Sequence, residues 1–236
     1  MTNNMKKLLP YLLITAGINS FGQPTQKKDP AAFVPKGFVV AEKIQGDLNK
    51  DGVNDCVLLI KATDKKQIIK DEYRGELDRN RRGIIVLFSK NDQYYEQAMK
   101  NYTCFSSENE DGGVYYAPEL SIEIGKGNLL ISYAHGRYGG WKYSFRYQNG
   151  DFDLIGYDAS YQNDFITDYV TFDEESINFL TKKKLTREVI KVDADGKESY
   201  KDSWKNIVLI KRIKLSEITD FDELYIAEML KEKDDR

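Results

Sequence analysis

The sequence predicts an all-β protein built from antiparallel hairpins and meanders. Short runs enriched in β-branched and aromatic residues recur along the chain, and Gly, Asn and Asp break them at close intervals. Such spacing leaves little room for the crossover helices of a βαβ fold. The clearest local signal is Asn149-Gly150, a type I′ turn pair flanked by strictly alternating aromatic and polar residues.

Taken from the start, Met5-Lys6-Lys7 precedes an apolar run from Leu8 to Ile18, and Ser20 and Gly22 supply the small residues of a cleavage site. This is the layout of a signal peptide over residues 1–22, with Gln23 the first mature residue. Export to the periplasm, cell surface or exterior is therefore expected. The apolar run falls short of the roughly 20 residues that span a bilayer. Residues 23–36, rich in Gln, Lys and Pro, are expected to form a flexible tether. The remainder, 37–236, is expected to be a single β-rich domain.

Candidate strands begin with Phe38–Lys43, Cys56–Lys61, Gly83–Phe88 and Tyr94–Lys100. Leu120–Ile124, Leu129–Tyr133, Trp141–Tyr147 and Phe152–Tyr157 follow, then Tyr169–Phe172, Ile177–Thr181, Leu185–Val192 and Tyr200–Ile213. Grouped in fours, they suit a small propeller-like array as well as two packed sheets. The charged stretch Asp64–Arg82 reads as a surface helix or a long loop, with Gly75 weakening the helix. Around Asn149-Gly150, Trp141, Tyr143, Phe145 and Tyr147 share one face. A two-residue turn then sets Arg146 opposite Asp153, Tyr147 opposite Phe152 and Phe145 opposite Leu154. Asp195-Gly196 marks a second turn, and Asp220 is placed to cap a short C-terminal helix over Glu223–Lys231.

One stretch carries recognisable chemistry. In Asp47-Leu48-Asn49-Lys50-Asp51-Gly52-Val53-Asn54-Asp55, oxygen-bearing side chains alternate before a glycine that permits a sharp turn. The side chains of Asp47, Asn49, Asp51 and Asp55, with the Val53 carbonyl, form a candidate calcium site, since calcium takes 6–8 oxygens at flexible geometry. The twelfth position, where an EF-hand places Glu, is Leu58, at the start of an apolar strand. The loop instead resembles the calcium loops of integrin-type FG-GAP repeats, Asp-x-Asp-x-Asp-Gly-x-x-Asp, with Asn49 replacing one acid.

More widely, the chain resembles a family of exported Bacteroidetes proteins. The resemblance rests on Gly46–Gly52, Asn80–Ile84, Cys104–Tyr115, Tyr133–Gly139, Phe145–Asn149 and Leu154–Asp158. It implies a compartment and a domain type, and it brings no activity.

A formal net charge of −3 gives no basic footprint for nucleic acid. His135 is the sole histidine, and neither a Gly-x-Ser-x-Gly elbow nor a His-Glu-x-x-His pair occurs. Two stretches could form a recognition surface for a glycan or protein: Glu108, Glu110 and Asp111 in one, and His135, Arg137, Tyr138 and Trp141 in the other. The favoured reading is a non-catalytic binding module with a structural calcium. The alternative is a hydrolase of polysaccharide or peptide that uses paired carboxylates. Cys56 and Cys104 are compatible with a disulfide or with two buried thiols.

Overall fold

A computed structural model describes residues 25–109, 117–163 and 170–233. In chain order the strands are β1 (Gln26–Lys27), β2 (Phe38–Gly46), β3 (Asp55–Ala62), β4 (Ile68–Asp71) and β5 (Gly75–Asp78). Next come β6 (Arg82–Lys90), β7 (Tyr94–Phe105), β8 (Glu119–Gly125), β9 (Asn128–Ala134) and β10 (Gly139–Gln148). The series ends with β11 (Asp151–Gln162), β12 (Phe172–Asn178), β13 (Lys183–Val192), β14 (Glu198–Leu209) and β15 (Leu230–Glu232). Among the described residues there is no α-helix, only short 3-10 turns.

The strands form a five-stranded sheet, β1-β7-β6-β3-β2, and an eight-stranded sheet running from β15 to β8 in sequence order. A two-stranded ribbon, β4-β5, stands apart. Two packed sheets make a sandwich, so the propeller-like option falls. The charged stretch Asp64–Arg82 is neither helix nor loop. Ile69 faces Leu77 in the β4–β5 hairpin, and Leu77 is buried.

Alternation places the main core between the sheets: Val57, Leu59, Ile84 and Val86 meet Ile131, Tyr143, Phe145 and Phe152. Strands β3 and β6 are apolar at nearly every position because their second face is covered too. Cys56, Leu58, Ile60, Ile85 and Leu87 pack there under Phe33. This corrects the expected tether over residues 25–36. Gln26 and Lys27 pair with Glu96 and Tyr95 of β7, and Asp29 caps a 3-10 turn, Pro30–Phe33, whose Pro30 and Phe33 are buried. The apolar outer face of β3 and β6 needs a cover, and Phe33 supplies it.

The Asn149-Gly150 hairpin has the expected register: Arg146 faces Asp153, Tyr147 faces Phe152 and Phe145 faces Leu154. Both turn residues have positive φ, 55° and 81°, as a type I′ turn requires. A bulge after Ser144 then shifts the pairing, so Ser144 faces Gly156. Where two strands were expected near Tyr169–Phe172 and Ile177–Thr181, the structure has one, β12; Tyr169 lies outside the described residues.

The C-terminal helix is reduced to one 3-10 turn, Ile226–Met229, before β15. Asp220 caps a turn by accepting from the Asp222 amide, and its other oxygen accepts from Arg81 at 2.7 Å. The segment matters through Phe221, which stacks on Phe105 (5.0 Å) and meets Tyr143 edge-on (5.1 Å) between the sheets. Leu215, Ile218 and Ile226 are buried with it. A helix would have spread these residues around an axis. An extended segment lets each of them reach the open side of the sandwich.

Candidate functional site

The 47–55 loop connects β2 to β3 and is tied by its own side chains. Asp47 accepts from the amides of Lys50 (2.6 Å) and Gly52 (3.0 Å). Asn49 accepts from the Asp51 amide, and Asp51 from the Val53 amide. Lys50 and Gly52 take positive φ, 65° and 85°, which lets the chain reverse. The loop also spans the two sheets. Leu48 is buried in the shared core, and a Cβ at Gly46 would lie 2.7 Å from the Ile124 side chain of β8.

Asp55 differs from the other loop acids because it is fully buried. Its Oδ2 accepts from the amides of Leu48 (2.8 Å) and Asn49 (3.3 Å), and its Oδ1 from the Ser89 amide of β6 (3.0 Å). Burial raises its pKa above the ordinary value. The three amides pull it back, and the negative charge of Asp51 adds to the rise. Asp55 is therefore a clamp joining the loop to the five-stranded sheet.

The donor set suits a hard cation: carboxylates, one amide oxygen and a backbone carbonyl, with no nitrogen or sulfur ligand among the expected residues. Oxygens of Asp47, Asn49 and Asp51 that take one N–H each retain a second lone pair. Among the described residues, no three His, Cys, Asp or Glu side chains converge as a metal-holding group. A cation here would thus draw on Asn49 and the Val53 carbonyl as well as on carboxylates.

The two cysteines are free thiols. Cys56 lies on β3 and Cys104 on β7, with β6 between them, and they sit in different core clusters. Two strand spacings alone separate them by about 9.5 Å, beyond disulfide reach. Burial pushes the Cys56 thiol up to about 11 and raises Cys104 as well.

His135, Arg137 and Tyr138 do come together, at a 3-10 turn before β10. Arg137 lies over the Tyr138 ring at 5.1 Å, donating to its hydroxyl, and His135 packs on the same ring. Gly139 has φ 107°, and a Cβ there would meet the Ser160 carbonyl at 2.0 Å, so only glycine fits. Trp141 stacks on Tyr133 at 5.3 Å, on the core side of β10. Glu108 pairs with the buried Arg82 at 3.4 Å; Glu110 and Asp111 lie outside the described residues.

Beside this turn the eight-stranded sheet carries a cavity of about 690 Å³, lined by Gly136, Gly139, Gly140 and Trp141 of the expected stretch. Its floor was not legible in the sequence. Pairing across strands aligns Ala134, Gly140, Ser160 and Glu174 in one row, and Ser132, Lys142, Asp158 and Ser176 in the next. Small side chains in adjacent strands leave the hollow. Asp158 accepts from the Ser176 hydroxyl (2.7 Å) and lies 3.3 Å from Lys142; Glu174 lies 3.5 Å from Arg187. The only signal was a serine or glycine at alternate strand positions, which acquires meaning once the register is known.

No family model, curated protein or solved structure matches the chain. Among the described residues no helix is long and apolar enough to cross a membrane.

Proposed function

We propose that this is an exported, non-catalytic binding module that holds a glycan or protein segment in the cavity beside His135–Trp141, with a calcium ion stabilising the 47–55 loop. The observation that carries the reading is the cavity's make-up. Hydroxyls of Ser132, Ser160 and Ser176 and backbone at three glycines surround an open hollow of about 690 Å³. A small polar floor open to solvent suits a ligand held by many modest contacts. The signal-peptide pattern of residues 1–22 supports export.

One observation favours the hydrolase as a second reading. Asp158 and Glu174 both line the cavity and are diagonal neighbours on one sheet face, about 7–8 Å apart at Cα. An acid–base pair, however, needs one carboxyl in an apolar or like-charged setting that keeps its proton. Here Lys142 stands beside one carboxylate and Arg187 beside the other.

The test is a ligand screen of soluble oligosaccharides and peptides, read by Trp fluorescence and calorimetry on wild type and on Ser160→Trp, which fills the hollow. Binding that is lost in Ser160→Trp and kept in Asp158→Asn, without turnover, supports the module. Turnover abolished by Asp158→Asn or Glu174→Gln would replace it with the hydrolase.

A further inference from the structure

The outer face of the eight-stranded sheet continues beyond the cavity beside Trp141. Residues directly opposite each other in neighbouring strands share one face. The register strings Ser132, Lys142, Asp158, Ser176, Leu185 and Trp204 into a single row across β9 to β14. The first five line the cavity of about 690 Å³. Trp204 lines a further hollow of about 590 Å³, together with Ser176, Asn178, Thr181 and Lys183. Ser176 belongs to both, so the two hollows are neighbours on one track. At roughly 4.8 Å per strand spacing, the track measures about 24 Å from β9 to β14.

The chain has two tryptophans, and they are used differently. Trp141 stacks on Tyr133. Trp204 is 60% exposed, and its indole has no ring contact or hydrogen bond among the described residues. An indole offers a broad apolar face and one N–H donor. Beside it, the Asn178 side-chain oxygen accepts from the amides of Leu180 (3.0 Å) and Thr181 (2.9 Å), which leaves its NH2 group available to a ligand.

Charge and backbone narrow the occupant. This row and the two beside it carry three cations, Lys142, Lys183 and Arg187, and three carboxylates, Asp158, Glu174 and Asp202. Lys142 stands 3.3 Å from Asp158, and Arg187 stands 2.8 Å from Asp202 and 3.5 Å from Glu174. A face whose charges cancel one another favours neither an anionic nor a cationic ligand. An extended peptide docks by adding main-chain hydrogen bonds to a sheet edge, but β10 to β13 each have a strand on both sides. Hydroxyls, an amide and an indole remain. They match an uncharged chain that carries hydroxyls around apolar C–H faces, as pyranose rings joined through equatorial bonds do.

We propose that a neutral β-1,4-linked glycan lies across the strands along this row, with one sugar ring stacked on Trp204 and others over the serine-lined hollow. The proposal rests on the binding-module reading and adds the ligand's class, direction and length.

The test is isothermal titration of the full mature chain with mannohexaose, xylohexaose and cellohexaose, and with the matching disaccharides. At least one hexaose is expected to saturate. Its disaccharide should bind at least about tenfold more weakly, because two units cannot reach from Trp204 to the first hollow. Trp204→Ala should weaken the hexaose by about tenfold or more, and Trp204→Phe should recover part of the loss. Trp204 is exposed, so a melting curve matching wild type is expected for both variants. No saturation by about 5 mM of any hexaose, a range in which millimolar affinity is visible, overturns the proposal. So does tighter binding of hexagalacturonate than of every neutral hexaose. Hexaose binding unchanged in Trp204→Ala but lost in Ser160→Trp overturns the track while the first cavity stands. Peptide binding in that cavity without hexaose binding keeps the module and overturns the glycan. A wild-type dimer in sedimentation that Trp204→Ala dissolves would give the indole to a second copy and overturn the proposal as well.

Discussion

Replacing Asp55 with alanine tests how the 47–55 loop is joined to the sheets. Its carboxylate takes three backbone amides, those of Leu48, Asn49 and Ser89, and both Leu48 and Ser89 are 2% exposed. Alanine would strand at least two buried N–H groups, at about 1–3 kcal/mol each. Against this stands the carboxylate's own cost of burial, visible in its raised pKa. The net loss should be about 2–4 kcal/mol, or roughly 4–16 °C in melting temperature for a chain of this size. Asp51→Ala is the control. That side chain serves the exposed Val53 amide and the Asn49 side chain, so its loss should cost less than about 1 kcal/mol in the absence of calcium. The assay is thermal unfolding followed by circular dichroism in EGTA. If Asp55→Ala is no less stable than Asp51→Ala, the clamp reading is wrong. The pH dependence has a definite sign. Asp55 has a folded pKa above its ordinary 3.8, so its contribution is full below that value and declines as pH rises through the folded pKa. The gap between wild type and Asp55→Ala should therefore narrow from acid toward neutral pH.

Three further outcomes are expected. Calcium at about a hundredfold excess over Kd should stabilise wild type by about 2.7 kcal/mol; magnesium should do much less, and Asp51→Ala should lose most of the effect, whereas an unchanged melting temperature with calcium would remove the ion from the proposal. Phe33→Ala, which uncovers the outer face of β3 and β6, should cost about 3–5 kcal/mol; a loss under about 1 kcal/mol in urea unfolding would mean that residues 25–36 are a tether after all. Both thiols should resist alkylation in the native chain at pH 8, because burial raises their pKa, and both should react after unfolding. A mass corresponding to a disulfide in the native protein would contradict the placement of β6 between them.

What could be read along the chain was whatever is decided locally. Alternation and a two-residue turn set the β10–β11 register because a strand repeats every two residues and Asn-Gly accepts positive φ at both positions. The same logic marked the apolar runs of β3 and β6, yet it could not say what covers their second face. The Gln26–Phe33 segment looked polar and Pro-rich, and only Phe33 betrays its docking. In the charged stretch before β6, the Gly75 turn had to be weighed against helix, and pairing with a neighbouring strand decided it.

The sequence by itself determined the β class, the alternating aromatic face and the oxygen pattern of the 47–55 loop. These depend on backbone preferences and on residues within a few positions of each other. Tertiary structure decided the rest. It made Asp55 a clamp by bringing in the Ser89 amide, 34 residues away, and kept Cys56 from Cys104 by inserting β6. It placed Phe221 among aromatics from both sheets. It also aligned serines of three strands into one hollow, and left Asp153 buried beside exposed aliphatics. Such arrangements arise from pairing between distant strands, where register sums over many weak contacts and no single residue carries the information.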